Sequence, residues 1–252
     1  MIIELALIGI FVGVISGFFG VGGGMILVPL LMLIGFDIKA AIGISVVQMV
    51  FSSIYGSYLN YKKGNLVLHE GMWVGVGGLF GGIIGARFTD LLDEQTLSYV
   101  FLALILFAIY RVSRAKRKNL NQGKADLSAM VLLTIGFIIG IVAMMLGVGG
   151  AILLTPILVG ILHFSSKKAA TAGLFFVVFS SLAGLGYKLA AGTFVDLSLD
   201  ITTILSVVIA ALVGAWVGIW LKEKVQDQHH KRYLIALYFV VLTILLDKIF
   251  LH

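Results

Sequence analysis

Ten apolar stretches alternate with short polar breaks along the chain, at roughly residues 2–19, 25–35, 40–61, 71–89 and 96–111, then 127–146, 151–163, 169–191, 199–221 and 232–251. A helix needs about 20 apolar residues to cross the hydrocarbon core of a bilayer. The second stretch of each group of five is too short for that. Each is expected to form a half-helix or the returning arm of a re-entrant hairpin. The pattern predicts an all-α polytopic membrane protein with about eight full spans plus two broken or re-entrant half-helices.

Each short stretch is preceded by glycines, Gly20-Val21-Gly22-Gly23-Gly24 in the first and Gly147-Val148-Gly149-Gly150 in the second. Each also contains one of the only two prolines, Pro29 and Pro156, nine residues beyond the first glycine. Glycine and proline punctuate loops. Within a membrane, broken backbone is tolerated where it is buried in protein or lines a polar cavity. Two equivalent breaks therefore point to a binding site.

The two motifs belong to a wider duplication. Displacing the chain by about 127 residues superposes the motifs and the prolines. Continuing one residue further, Lys39 falls on Lys167, Phe51-Ser52-Ser53 on Phe179-Ser180-Ser181, Gly56 on Gly184 and Gly64 on Gly192. Later, Gly85-Ala86 matches Gly214-Ala215 and Tyr99 matches Tyr233. The expected organisation is two homologous halves, 1–111 and 127–252, joined by a basic linker at 112–126 that contains Lys116-Arg117-Lys118.

Charge gives an orientation. With the linker in the cytoplasm and every stretch reversing the side, the inner loops hold Lys62, Lys63, Lys167, Lys168, Lys222, Lys224, Lys231 and Arg232. Lys39, Arg87, Lys188, Lys248 and the acidic loops Asp90 to Glu94 and Asp196 to Asp200 lie outside. Basic residues favour the cytoplasmic side. Five side changes per half make the repeats inverted and place both termini outside; four full spans per half would make them parallel.

Composition agrees with a membrane location. The chain is 60% apolar and 12% charged, with a mean hydropathy of +1.12, against about 45–50% and about 25% in soluble domains. A net charge of +6 could suggest nucleic acid, but it is spread over short loops, so no nucleic-acid partner is expected. No cysteine is present, which excludes disulfides and thiolate chemistry. Met1-Ile2-Ile3-Glu4 lacks a basic region, so a removable signal peptide is not expected.

Successive glycines uncover backbone N–H groups, and a following helix start adds partial positive charge. Gly20, Gly22, Gly23, Gly24, Gly147, Gly149 and Gly150 are therefore candidate ligands for an anion. For the scattered Gly77, Gly78, Gly81, Gly82 and Gly85, close helix packing is the preferred reading. No lysine and hydroxyl follow the motifs as a phosphate loop requires. The long third stretches supply Ser45, Gln48, Ser52 and Ser53 in the first half and Thr171, Ser180 and Ser181 in the second. Ser45, Gln48 and Ser52 share one helix face, although serine hydroxyls also bond their own helix carbonyls. Lys39 and Lys167 either draw anions into two vestibules or anchor helix ends. The five histidines lie at predicted ends or loops, with no metal-binding or catalytic constellation. No enzyme activity, metal or cofactor is expected.

The chain resembles the sulfite exporter TauE/SafE family, also described as the 4-toluenesulfonate uptake permease group. The resemblance is carried by Gly17-Phe18-Phe19-Gly20-Val21-Gly22-Gly23-Gly24 with Pro29 and by Leu146-Gly147-Val148-Gly149-Gly150 with Pro156. Lys39-Ala40-Ala41-Ile42-Gly43, Gly81 to Arg87, and Lys168-Ala169-Ala170-Thr171 leading to Phe179-Ser180-Ser181 support it. Thr171-Ala172-Gly173 departs from the Thr-Ser pair of similar proteins. The resemblance implies an inner-membrane transporter of sulfite, a sulfonate or a related organic anion, with about eight spans. An alternating-access carrier is expected, with a proton or sodium as a candidate coupling ion. An anion channel and a membrane-embedded scaffold subunit are the alternatives.

Overall fold

The computed structural model describes residues 2–20, 22–64, 68–114, 128–160, 166–193, 201–225 and 227–250. Most of the basic linker, Asp196 to Asp200, and the side chains of all five histidines, Pro156, Lys167, Lys168 and Lys231 lie outside this description. The described residues form ten α-helices: α1 Ile2–Phe19, α2 Gly24–Leu33, α3 Ile38–Lys62, α4 Leu68–Leu91, α5 Glu94–Arg114, α6 Ala129–Met145, α7 Ala151–Gly160, α8 Ser166–Ala190, α9 Ile201–Lys224 and α10 Asp227–Phe250. Helix α5 runs on to Arg114, into the segment assigned to the linker. Its start is capped by Asp93, whose carboxylate accepts from the Thr96 hydroxyl at 2.7 Å and the Thr96 N–H at 2.8 Å. Those two bonds hold the Asp93 carboxyl below the usual carboxylate range.

Among the described residues, five helical segments are long and apolar enough to cross a membrane: Ile38–Lys62, Gly71–Leu91, Glu94–Ser113, Ala169–Ala190 and Ile204–Lys222. Glu4–Phe19 and Ala129–Met145 are apolar but shorter. Leu7, Phe11, Phe80, Ile209 and Phe239 are all more than half exposed, an apolar surface suited to lipid rather than to water. Helices α2 and α7 have 10 residues each, which at 1.5 Å per residue is about half of the ~30 Å hydrocarbon thickness.

Helices α3 and α8 pack against each other at the centre, with α2 laid on α3 and α7 on α8. Around them α1 packs on α9, α6 on α4, α9 on α3, and α4 on α8. Exchanging first-half for second-half helices maps the α3–α8 contact onto itself and each of the others onto another one. The tightest pairings are built from glycine, because a missing side chain lets helix backbones approach. A methyl on Gly9 of α1 would lie 2.7 Å from the Val207 carbonyl oxygen of α9, and one on Gly140 of α6 would lie 2.7 Å from that of Gly78 in α4.

The packing also corrects one detail of the sequence alignment. Gly81 faces Phe137 as Gly214 faces Ile10, and Gly85 faces Ile141 as Gly218 faces Val14. The contacts thus pair Gly85 with Gly218, not with Gly214. The shift arises because the segment between the third and fourth long helices is longer in the second half.

Candidate functional site

The two glycine motifs meet. Gly20, Gly22 and Gly23 have φ of 69°, 81° and 82°, and Gly147, Gly149 and Gly150 have 64°, 82° and 69°. The left-handed region costs other L-residues roughly 1–2 kcal/mol each, so three such residues per loop account for the glycine spacing. A methyl on Gly22 would lie 3.6 Å from the Cα of Gly149, and Gly24 rests on the Gly147 carbonyl. At the start of α2 the Gly23 carbonyl accepts from the N–H groups of Ile26 and Leu27 at 3.1 and 3.0 Å. At the start of α7 the Gly150 carbonyl accepts from Leu153 and Leu154 at 3.1 and 3.0 Å. The N–H groups of Gly24 and Met25 in α2 and of Ile152 in α7 have no intrahelical acceptor, while that of Ala151, the first in α7, donates to the Gly149 carbonyl at 2.9 Å. Gly23 provides no side-chain cap. Two helix N-termini, each preceded by a glycine that has no side chain to cap it and each carrying partial positive charge, thus converge at the loops.

Helix α3 supplies the polar side chains. The Ser45 hydroxyl donates to the Gly147 carbonyl at 2.8 Å, tying α3 of one half to the loop of the other. Gln48 is fully buried, and neither its Oε1 nor its Nε2 has a hydrogen-bond partner. Its amide lies over Gly23, where an added methyl would sit 2.7 Å from Oε1 and 2.9 Å from Nε2. The equivalent place in the other half holds Phe176, fully buried against Gly150. Gly173 occupies the place equivalent to Ser45; a methyl there would meet the Ala151 Cβ at 2.9 Å. The glycine at 173, where the first half carries Ser45, therefore has a steric reason, since Ala151 stands where the first half has Gly24.

The structure thus brings together Gly20, Gly22, Gly23, Gly24, Gly147, Gly149, Gly150, Ser45 and Gln48. The paired serines lie further along their helices and donate within them. Ser52 bonds the Met49 carbonyl at 3.5 Å, Ser53 that of Val50 at 3.3 Å, Ser180 those of Phe176 and Val177 at 3.4 Å, and Ser181 that of Val177 at 2.6 Å. Pro29 does not end its helix, because α2 runs through it to Leu33, and α7 likewise runs through Pro156. The break lies at the glycines.

Two polar clusters stand at opposite ends of the long central helices. At one end the Lys39 ammonium donates to the Asp90 carbonyl at 3.2 Å, and Lys188, 1% exposed, pairs with Asp90 Oδ1 at 3.1 Å. Lys39 therefore anchors the C-terminus of α4. Next to Asp90, the Thr89 hydroxyl meets the Met145 carbonyl at 2.8 Å, where α6 leads into the second glycine loop. At the other end Thr171 donates to Asn60 Oδ1 at 3.2 Å and accepts from Lys222 at 3.3 Å. The sequence reading did not foresee Asn60, Thr89 or the Lys188–Asp90 pair. Its charge rule, however, had assigned Lys39, Asp90 and Lys188 to one side.

The profile of the family described as Sulfite exporter TauE/SafE matches residues 5–245. Among similar proteins, Probable membrane transporter protein YdhB of Bacillus subtilis is 29% identical, over 73% of this chain and 77% of its own length. Probable membrane transporter protein YunE of the same organism is 24% identical over 75% and 78%. A probable membrane transporter protein of Methanocaldococcus jannaschii is 27% identical over 75% and 73%. No solved structure matches the chain.

Proposed function

This chain belongs to the sulfite exporter TauE/SafE family of membrane transporters, not enzymes, and on that premise we propose that it is a secondary carrier for a small oxyanion. Sulfite is the first candidate substrate, from the family's description, with sulfonates next. The anion binds where the two glycine loops meet, held by the N–H groups of Gly24 and Met25 at the start of α2, of Ile152 at the start of α7, and by Gln48. The observation that carries the reading is Gln48: a fully buried amide with both polar atoms unpaired, placed over an uncapped helix start. Leaving such a group unsatisfied costs roughly 1–3 kcal/mol, which a ligand would recover.

The antiparallel pairing of α3 with α8, with Lys39 beside the Lys188–Asp90 pair at one end and Asn60 beside Thr171 at the other, supports inverted halves, with about eight spans and two half-helices lining the site. In such carriers one repeat rocks against the other around a central site. The Lys188–Asp90 and Lys222–Thr171–Asn60 clusters close the two ends in turn. The location is the inner membrane, with the basic linker in the cytoplasm and a proton or sodium as coupling ion.

Purified protein in liposomes should show saturable sulfite flux. Gly22→Leu and Gly149→Leu should each lower it at least about tenfold while leaving insertion unchanged, because both residues sit at positive φ where the loops touch. Wild-type flux in both variants refutes the site, and large unitary currents replace the carrier by a channel.

A further inference from the structure

We infer that the site selects a singly charged oxyanion that retains one acid hydroxyl, and that Gln48 reads this hydroxyl. The inference rests on the transport reading above and narrows its substrate, placing sulfonates, which carry no acid hydroxyl, behind hydrogensulfite. Hydrogensulfite, in its O–H form, is the sulfur member of this class.

The first argument is hydrogen-bond matching. Whichever way its amide is turned, Gln48 presents one acceptor and N–H donors, and both ends are buried without a partner. A fully deprotonated oxyanion carries acceptors only. It would satisfy Nε2 and leave Oε1 facing its own lone pairs in a buried setting, where an unpaired acceptor is costly. A ligand with one hydroxyl satisfies both ends. Ser45 does not satisfy Oε1 in the ligand's place, because its one hydroxyl hydrogen is already committed to the Gly147 carbonyl.

The second argument is charge. Each uncapped helix start contributes roughly +0.5 of an elementary charge, so α2 and α7 together offset about one negative charge. The two fully or nearly buried lysines, Lys188 and Lys222, are held by Asp90 and Thr171 at the helix ends. A dianion at the loops would keep about one uncompensated charge away from water, which is strongly unfavourable. A monoanion is matched.

The third argument is asymmetry. Gln48 stands over Gly23, but its equivalent over Gly150 is Phe176. The hydroxyl is therefore read at the α2 side only, and the other oxygens face the remaining N–H groups. Moving the monoprotonated anion carries a proton together with the dianion. Proton-linked transport then needs no carboxylate relay inside the spans.

The test compares hydrogensulfite with methanesulfinate, in which a methyl group replaces the hydroxyl at the same charge, and with sulfate as a dianion. Initial rates are recorded in proteoliposomes over a pH series, with protein-free liposomes as background. Wild-type flux should follow the hydrogensulfite concentration rather than total sulfite. Methanesulfinate should be carried about tenfold more slowly, the factor expected for one lost buried hydrogen bond. Gln48→Met, checked for an unchanged melting temperature, should slow hydrogensulfite and erase its advantage over methanesulfinate. Equal wild-type rates for the two monoanions, a rate that follows the dianion, or a Gln48→Met variant that keeps the preference each overturns the inference while leaving the carrier intact. Absence of saturable flux for every anion by folded wild-type protein overturns the transport reading, and this inference falls with it.

Discussion

At the scale of single residues, the two halves solve the same packing problem in complementary ways. Where α3 carries Ser45 against Gly24, α8 carries Gly173 against Ala151, so the larger residue sits on opposite partners in the two halves. Gly173→Ser should destabilise the protein by about 1–3 kcal/mol through overpacking, because its Cβ would lie 2.9 Å from that of Ala151. Adding Ala151→Gly should recover most of the loss, a coupling that a double-mutant cycle of melting temperatures measures. Equal losses in the single and double variants would sink this account. The repeated glycines and the buried Gln48 were legible in the sequence, since their spacing and polarity announce them. The direction of each hydroxyl was not. Whether Ser45 reaches another loop or, like Ser53, bonds its own helix depends on which face of α3 meets the second half, and no local pattern carries that.

At the scale of elements, the glycines outside the loops divide by what their faces meet. Gly9, Gly13 and Gly17 of α1 lie on the backbone of α9, and Gly77, Gly81 and Gly85 of α4 on that of α6. The preference for packing at Gly77, Gly81 and Gly85 came from composition alone, but the identity of the partner helices did not. Helix α1 packs on a helix of the opposite half, and such long-range pairing leaves no trace in hydropathy. Gly186 on α8 faces open space, with nothing within 4 Å of a methyl placed there. Gly13→Leu should therefore force α1 from α9 and lower the melting temperature sharply. Gly186→Ala should be neutral or stabilise by up to about 1 kcal/mol through helix propensity. Scanning both variants by thermal melting in detergent checks this, and a stable Gly13→Leu protein would contradict the packing.

At the scale of the whole molecule, the helix contacts gather buried charged groups at two opposite ends. Lys39 and Asn60 lie 21 residues apart on α3, about 31 Å along a helix, so the clusters built on them mark opposite ends of the molecule. The end at Lys39 gathers Asp90 and Lys188; the end at Asn60 gathers Lys222. The excess of basic residues expected on the cytoplasmic side separates Lys39 and Lys188 from Lys222 in the same way. The chain contains no cysteine, so single cysteines can be introduced without background. Asp93→Cys, in the exposed turn after α4, should react with an impermeant thiol reagent added outside intact cells. Lys63→Cys, at the exposed end of α3, should react only after the membrane is opened. The two positions are separated by one long helix, so they must label from opposite sides if α4 spans. Labelling of both from one side would remove the span, and with it the inverted relation on which the carrier reading depends. Reversed sidedness would keep the fold and turn the molecule over, moving the basic linker out of the cytoplasm and exchanging the mouths that the two clusters close.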